Sequence, residues 1–88
     1  MTQKISSAQM RAARALLRWT ALDLAKASKV GVATIRRVEV IDGEISATQA
    51  NEAALRHALE AAGVEFIDEN GGGAGVRLRK PSAVKTKK

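Results

Sequence analysis

Residues that favour the start of a helix recur at short intervals along the first half of this 88-residue chain. Their short polar side chains, or the lack of a side chain, suit the first position of a helix, where backbone amides have no partners. The candidates are Ser6 or Ser7, Thr20, Gly31, and Ser46 or Thr48. Helices with so few residues between them must be short, and short helices do not persist alone in water. The chain is therefore expected to form a bundle in which neighbouring helices hold one another.

Four helices are predicted from these starts. Gln9 and Asp23 each lie three residues after a candidate cap, and they complete a capping-box pattern for the first and second helix. Gly63 is placed to stop the fourth helix, because glycine readily takes the backbone conformation that follows a helix. The predicted helix ends lie near residues 17, 28, 39 and 62. The expected buried side of the first helix consists of Met10, Ala13, Leu16 and Leu17.

After residue 63 the apolar residues change from helical spacing to alternation with charged residues. One alternating run contains Val64 and Phe66, a second contains Val76 and Leu78, and a glycine-rich turn separates them, which predicts a β-hairpin. The expected fold class is mainly α with a C-terminal β-hairpin. The predicted divisions are a helical domain at 1–63, a hairpin at 64–80 and a disordered basic tail at 81–88.

The net charge of +6 is distributed in blocks along the chain. Residues 1–40 carry eight Lys and Arg against two acids, residues 41–70 carry one Arg against seven acids, and residues 71–88 carry six cations and no acid. Binding to a polyanion requires cations clustered on one surface. The basic first block therefore indicates a nucleic-acid partner, whereas the acidic block faces elsewhere.

Several classes of function lack the residues that they require. The chain has no cysteine and a single histidine, His57, so we expect neither a metal site nor a catalytic nucleophile. The run Gly71–Gly75 lacks the Gly-Lys-Ser/Thr of a phosphate-binding loop. No apolar run approaches a membrane span and no secretion signal is present. We expect a cytoplasmic protein that is not an enzyme, with no cofactor and no membrane partner.

The run from Leu24 to Glu39 resembles the helix-turn-helix of the lambda-repressor and Cro-like family, also called the XRE family. Ala25 is small where the two helices of the motif cross, and Ile35 and Val38 occupy its core positions. The resemblance extends from residue 7 to about residue 63. It implies a DNA-binding domain of four to five helices, in which the third helix enters the major groove.

The chain departs from the family pattern in the turn and at the start of the third helix. Lys29 stands where the family usually has glycine, so this lysine is expected to adopt a left-handed backbone conformation. Gly31 replaces the usual polar cap, and Val32 and Ala33 replace the long polar residues that often follow it.

The resemblance also implies roles for individual residues. The residues that it places at base edges are Val32, Ala33, Thr34 and Arg37, and Arg36 contacts either a base or a phosphate. Phosphates are expected at the start of the second helix, near Thr20 and Ala21, with help from Lys29. Arg14 and Glu39 match a partly buried ion pair of the family, and Trp19 matches a core aromatic.

These expectations describe a transcriptional regulator, a repressor or dual regulator, that binds double-stranded DNA as a homodimer on a palindromic operator. The candidate dimer interface consists of Val64, Phe66, Val76 and Leu78, since isolated hairpins have exposed edges. Packing of the hairpin on its own fourth helix is the alternative. An alternative function is that of an antitoxin or anti-activator that acts mainly by binding a protein partner through the acidic region.

Overall fold

The computed structural model describes residues 5–40, 48–68 and 71–79. Within these ranges the chain forms four helices and two strands, and the class predicted above, mainly helical with a C-terminal antiparallel hairpin, is confirmed. The elements are α1 (Ser7–Leu17), α2 (Ala21–Ser28), α3 (Val32–Glu39), α4 (Gln49–Ala61), β1 (Val64–Ile67) and β2 (Gly75–Leu78). The predicted tail at 81–88 and the alternative cap Ser46 lie outside the described residues.

Side-chain caps begin α1, α2 and α4. The Ser6 hydroxyl accepts a hydrogen bond from the Gln9 amide at 3.0 Å, and the Gln9 side chain accepts one from the Ser6 amide at 2.8 Å. Thr20 and Asp23 exchange the same two bonds at the start of α2, so both predicted capping boxes are confirmed. Thr48 caps α4 by accepting from the amide of residue 51 at 3.1 Å. Each such cap stabilises its helix by about 1 kcal/mol.

The end of α1 closes into a left-handed turn that sets the direction of α2. Arg18 has φ 58° and ψ 38°, and its amide donates to the Ala15 carbonyl at 3.1 Å. The Trp19 amide donates to the Arg14 carbonyl at 2.9 Å, which completes the pair of bonds that often terminates a helix. The Trp19 side chain is half-buried and packs against the core. The turn from α1 into α2 therefore gives partners to the carbonyls of Arg14 and Ala15.

The hydrophobic core collects residues from every helix and from β1. Its members are Ile5, Met10, Ala13, Leu24, Val30, Ile35, Val38, Leu55, Ala58, Leu59, Val64 and Phe66. The prediction that Leu16 is buried is wrong, because this leucine is exposed. On a helical projection Leu16 lies at the flank of the stripe formed by Met10, Ala13 and Leu17, beyond the reach of the neighbouring helices.

The hairpin shares this core with the helices. Val64 pairs with Leu78 and Phe66 pairs with Val76 in antiparallel register, and the hairpin packs against α1 and α4. The buried Gln9 side chain donates hydrogen bonds to two hairpin carbonyls, at 3.0 Å and 3.3 Å. A single glutamine therefore both caps α1 and attaches the hairpin to it.

Two further buried polar contacts hold the start of α1. The Ser7 hydroxyl donates to the Val38 carbonyl at 2.8 Å, near the end of α3. The Ile5 amide donates to a carboxylate oxygen of Glu52 on α4 at 3.0 Å. Because buried polar groups are costly when unpaired, these contacts fix the chain from Ile5 to Ser7 against α3 and α4.

The turn between α2 and α3 has the left-handed residue that the resemblance implied. Lys29 has φ 65° and ψ 20°, and its amide donates to the Ala25 carbonyl at 2.8 Å. Val30 is buried, and its amide donates to the Ser28 hydroxyl at 3.1 Å. Gly31 begins α3 with an ordinary φ of −61°. The conformational strain of the turn is therefore located at Lys29.

Replacing Lys29 by glycine is expected to stabilise the protein. Glycine has no β-carbon to oppose the left-handed conformation, so Lys29→Gly should raise the free energy of unfolding by about 0.5–1 kcal/mol, measured by urea denaturation. Lys29→Ala is the matched control, since it removes the same charge and keeps the β-carbon. A glycine variant no more stable than the alanine variant would contradict this account of the turn.

Candidate nucleic-acid interface

One side of α3 is exposed along its whole length. The exposed side chains are those of Ala33, Arg36, Arg37 and Val40, and we call this set the α3 stripe. Each residue of a helix is rotated by about 100° from the one before it. Positions 33, 36, 37 and 40 therefore lie within one arc of about 100° around the helix axis. Ile35 and Val38 lie on the opposite side and are fully buried. The core therefore fixes which side of α3 points outward.

The predicted base-contacting residues divide into two groups on this helix. Ala33, Arg36 and Arg37 belong to the α3 stripe, whereas Val32 and Thr34 lie half-buried on its two flanks. Arg36 and Arg37 make no hydrogen bond or ion pair with any residue that the structure describes. Their guanidinium groups are therefore available to an external partner.

Val40 is a member of the stripe that our sequence analysis missed. It is the C-cap of α3, and its φ of −87° and ψ of −15° continue the helical turn. Its position seven residues after Ala33 returns to the same side of a helix, and this spacing was readable in the sequence. The helix was predicted to end at Glu39, so Val40 was not counted among its exposed residues.

An ion pair between Arg14 and Glu39 joins α1 to the end of α3. Arg14 donates from Nε and Nη2 to the two oxygens of the Glu39 carboxylate, both at 2.7 Å. The side chains are 22% and 9% exposed, which leaves little room for water between them. The hydrogen bonds to Glu39 raise the pKa of Arg14 above its ordinary value, so the arginine stays charged. The pair that the resemblance implied is present.

Arg14 and Arg11 both serve the structure of the protein. The third nitrogen of the Arg14 guanidinium, Nη1, donates to the Trp19 carbonyl at 2.9 Å in the turn after α1. Arg11 donates from Nη1 to the backbone carbonyl of Glu39. Cations at the end of α3 also complement the partial negative charge of its free carbonyls. These two arginines are therefore engaged in holding α3 in place.

The start of α2 is the predicted phosphate site. The Thr20 hydroxyl accepts a hydrogen bond from the Asp23 amide in the capping box, and Ala21 is half-buried against the core. Asp23 lies at the same helix end, and its hydrogen bonds with Thr20 lower its carboxyl pKa, so it is negatively charged at neutral pH. A phosphate here would meet free backbone amides beside the charged Asp23 carboxylate. Lys29, at the other end of α2, is exposed.

Most acidic side chains in the described part of α4 and the hairpin are engaged within the chain. Glu52 is buried against the Ile5 amide, and Glu60 pairs with Arg56 at 2.9 Å. The Glu65 carboxylate pairs with Arg77 at 3.0 Å across the two strands, and this contact lowers the pKa of Glu65. Three carboxylates of the acidic block, among those that the structure describes, therefore already have partners within the chain.

The predicted dimer contacts of Val64 and Phe66 are wrong for the described chain. Both side chains are buried in the core of their own molecule, where the Arg56 guanidinium lies 5.2 Å from the centre of the Phe66 ring. The hairpin packs on its own helices because Val64 and Phe66 point from the sheet towards α1 and α4. Val76 is half-buried, and Leu78 is 47% exposed. Leu78 is thus the one candidate of the four with an exposed side chain.

Comparison with known proteins adds no assignment: no family model matches the chain, and no curated protein matches it. Within residues 5–40, 48–68 and 71–79, no cluster of His, Asp or Glu is suited to hold a metal ion. The helices of the same ranges are too short or too polar to cross a bilayer.

Removing Arg14 is expected to destabilise the protein more than removing the whole pair. Arg14→Ala leaves the buried Glu39 carboxylate without a cation and should lower the free energy of unfolding by about 3 kcal/mol. The double variant Arg14→Met with Glu39→Leu should recover much of that loss, because no buried charge remains unpaired. Urea denaturation of both variants measures this. Equal stability of Arg14→Ala and the wild type would show that the pair does not hold α3.

Proposed function

We propose that this protein is a sequence-specific DNA-binding transcriptional regulator, with α2 and α3 as a lambda-repressor-like helix-turn-helix. The observation that carries the proposal is the α3 stripe. Its two arginines have no partner in the described chain, and the opposite side of α3 is anchored by Ile35, Val38 and the Arg14 to Glu39 pair. A rigid, exposed, cationic helix is the element that major-groove recognition requires.

The size and chemistry of the α3 stripe support this proposal. The major groove of B-DNA is about 12 Å wide and admits an α-helix with its side chains. A guanidinium group can donate two hydrogen bonds to the O6 and N7 atoms of guanine. Ala33, near the start of α3, is small enough to let the helix backbone approach the bases closely.

Contacts to phosphates would position α3 in the groove. The start of α2 offers free amides near Ala21, and Lys29 offers an exposed cation between the two helices. Such contacts add affinity that depends on salt but no sequence information. In this arrangement, α2 lies across the sugar-phosphate backbone and α3 reads the bases.

The charges of the described residues favour DNA over a basic protein as the partner. An antitoxin or anti-activator that acts through the acidic region needs free carboxylates, and three of those that the structure describes there, on Glu52, Glu60 and Glu65, are engaged within the chain. The free charges of α3 are cationic. We therefore retain DNA binding as the function and treat protein binding as an outcome of the tests.

Substitution of the stripe arginines tests the proposal directly. Duplexes selected by the wild-type chain from a random library should bind Arg36→Ala or Arg37→Ala about 10- to 100-fold more weakly, since a bidentate contact to guanine contributes about 1–3 kcal/mol. Fluorescence anisotropy at several salt concentrations gives both the affinity and its salt dependence. A steep salt dependence is expected of the wild type.

Arg77→Ala is the matched control. It removes the same charged group from β2, on the face of the sheet opposite to Leu78 and away from α3, and it should bind the selected duplex within about twofold of the wild type. Failure of the wild type to enrich any sequence would contradict DNA reading. Normal binding by both α3 variants would remove α3 from the interface.

We further propose that two copies associate through the exposed part of the hairpin. The sheet has two strands within the described residues, so each strand has an unpaired edge, and Leu78 exposes apolar surface beside one of them. A two-fold dimer would place two copies of α3 about 34 Å apart on one face of the DNA, on a palindromic site.

A charge at Leu78 should prevent this association. Leu78→Glu places a carboxylate at the proposed contact and should give a monomer in sedimentation experiments without DNA, under conditions where the wild type is a dimer. Leu22→Glu, which alters an exposed leucine of α2, is the control and should stay dimeric. If Leu78→Glu and the wild type have the same mass in solution, the hairpin edge is not the contact.

A further inference from the structure

The two ends of the α3 stripe are apolar and its centre is cationic. Ala33 lies at one end and Val40 at the other, with Arg36 and Arg37 between them. Val40 is 77% exposed, the highest fraction among the large apolar side chains that the structure describes as exposed. The fold therefore leaves an isopropyl group in water on the side that carries both free arginines.

The dimensions of the stripe match a short run of base pairs. Ala33 and Val40 are seven residues apart, which is about 10.5 Å along a helix axis. Successive bases of one DNA strand are about 3.4 Å apart along the duplex axis, and the groove is inclined to that axis, so the two apolar ends span about two to three base steps. A helix that lies along the groove can contact bases with all four members of the stripe, whereas a helix inserted by its first turn would leave Val40 unused.

Thymine is the only base that presents a methyl group at the edge of the major groove. Contact with it would remove both the methyl and the Val40 isopropyl group from water, which is favourable. Guanine offers the acceptors that suit the arginines. We propose that α3 lies along the major groove, and that it reads a guanine-containing step flanked by two thymines about two to three base steps apart, with Val40 contacting one of them.

This inference rests on the proposed function and specifies its target. It assigns Val40 as a specificity-determining residue and restricts the class of half-site that the protein selects. It also distinguishes two docking geometries, since contact with Val40 requires the last turn of α3 to be inside the groove.

The test uses a duplex selected by the wild-type chain, in which each thymine is replaced in turn by deoxyuridine. This change removes one methyl group and nothing else. Wild-type binding should weaken about fourfold at two thymines, the effect of one buried methyl group. In the Val40→Ala variant, deoxyuridine at one of these two positions should weaken binding less than about twofold, while deoxyuridine at the other position should still weaken it about fourfold.

Leu16→Ala is the matched control, because it shortens an exposed leucine of α1 that lies outside the stripe, and it should keep both penalties. The inference is overturned if deoxyuridine does not weaken binding of the wild type. It is also overturned if deoxyuridine weakens binding of Val40→Ala as much as that of the wild type at both positions. Loss of dimer mass in Val40→Ala without DNA would also overturn it, since Val40 would then contact a second copy.

A separate arm distinguishes failure of this inference from failure of the proposed function. Replacing guanine by 7-deazaguanine removes the N7 acceptor and should weaken binding of the wild type. The same replacement should not weaken binding of the variant, Arg36→Ala or Arg37→Ala, that lacks the arginine contacting this N7 atom. If guanine dependence persists without any thymine effect of Val40, only the present inference fails. If neither base is read, the DNA-binding proposal fails with it.

Discussion

The ion pair of Arg14 with Glu39 is the contact on which the arrangement of the helices depends. Its carboxylate belongs to the last residue of α3, and its guanidinium also holds the carbonyl of Trp19 in the turn that leads to α2. The Arg14 side chain therefore connects α1, the turn before α2 and the end of α3. Because α2 and α3 have only eight residues each, such external contacts decide whether they persist.

Buried polar side chains complement a small aliphatic core. Ser7 fastens α1 to α3, Glu52 fastens the chain before α1 to α4, and Gln9 fastens the hairpin to α1. No buried side-chain nitrogen or oxygen lacks a partner among the residues that the structure describes. These bonds add directional constraints to nondirectional apolar packing, which by itself permits several relative positions of short helices.

Arginine has two different uses in this protein, and burial separates them. Arg14 is partly buried and paired, and it acts as a fixed connection between elements. Arg36 and Arg37 are exposed on the stripe, where no residue that the structure describes pairs with them. The rigid placement of α3 supports the proposed recognition of DNA, because a side chain on a fixed helix loses less freedom on binding than one on a mobile loop.

The sequence alone determined the features that depend on neighbours within a few residues. The capping boxes that begin with Ser6 and Thr20 and the alternating strands of the hairpin were predicted, because local hydrogen bonds and side-chain periodicity control them. The left-handed conformation of Lys29 was implied by the family resemblance. The pairing of Arg14 with Glu39 came from family resemblance, since nothing local requires it.

Only the tertiary structure decided which surfaces are covered. Gln9 reaches carbonyls 58 and 66 residues further along the chain, and no periodic pattern reveals that contact. The exposure of Leu16 and Val40 and the burial of Phe66 likewise depend on where distant elements pack. A helical or alternating pattern shows which side chains share a side of an element, whereas the packing of other elements determines whether that side meets protein or water.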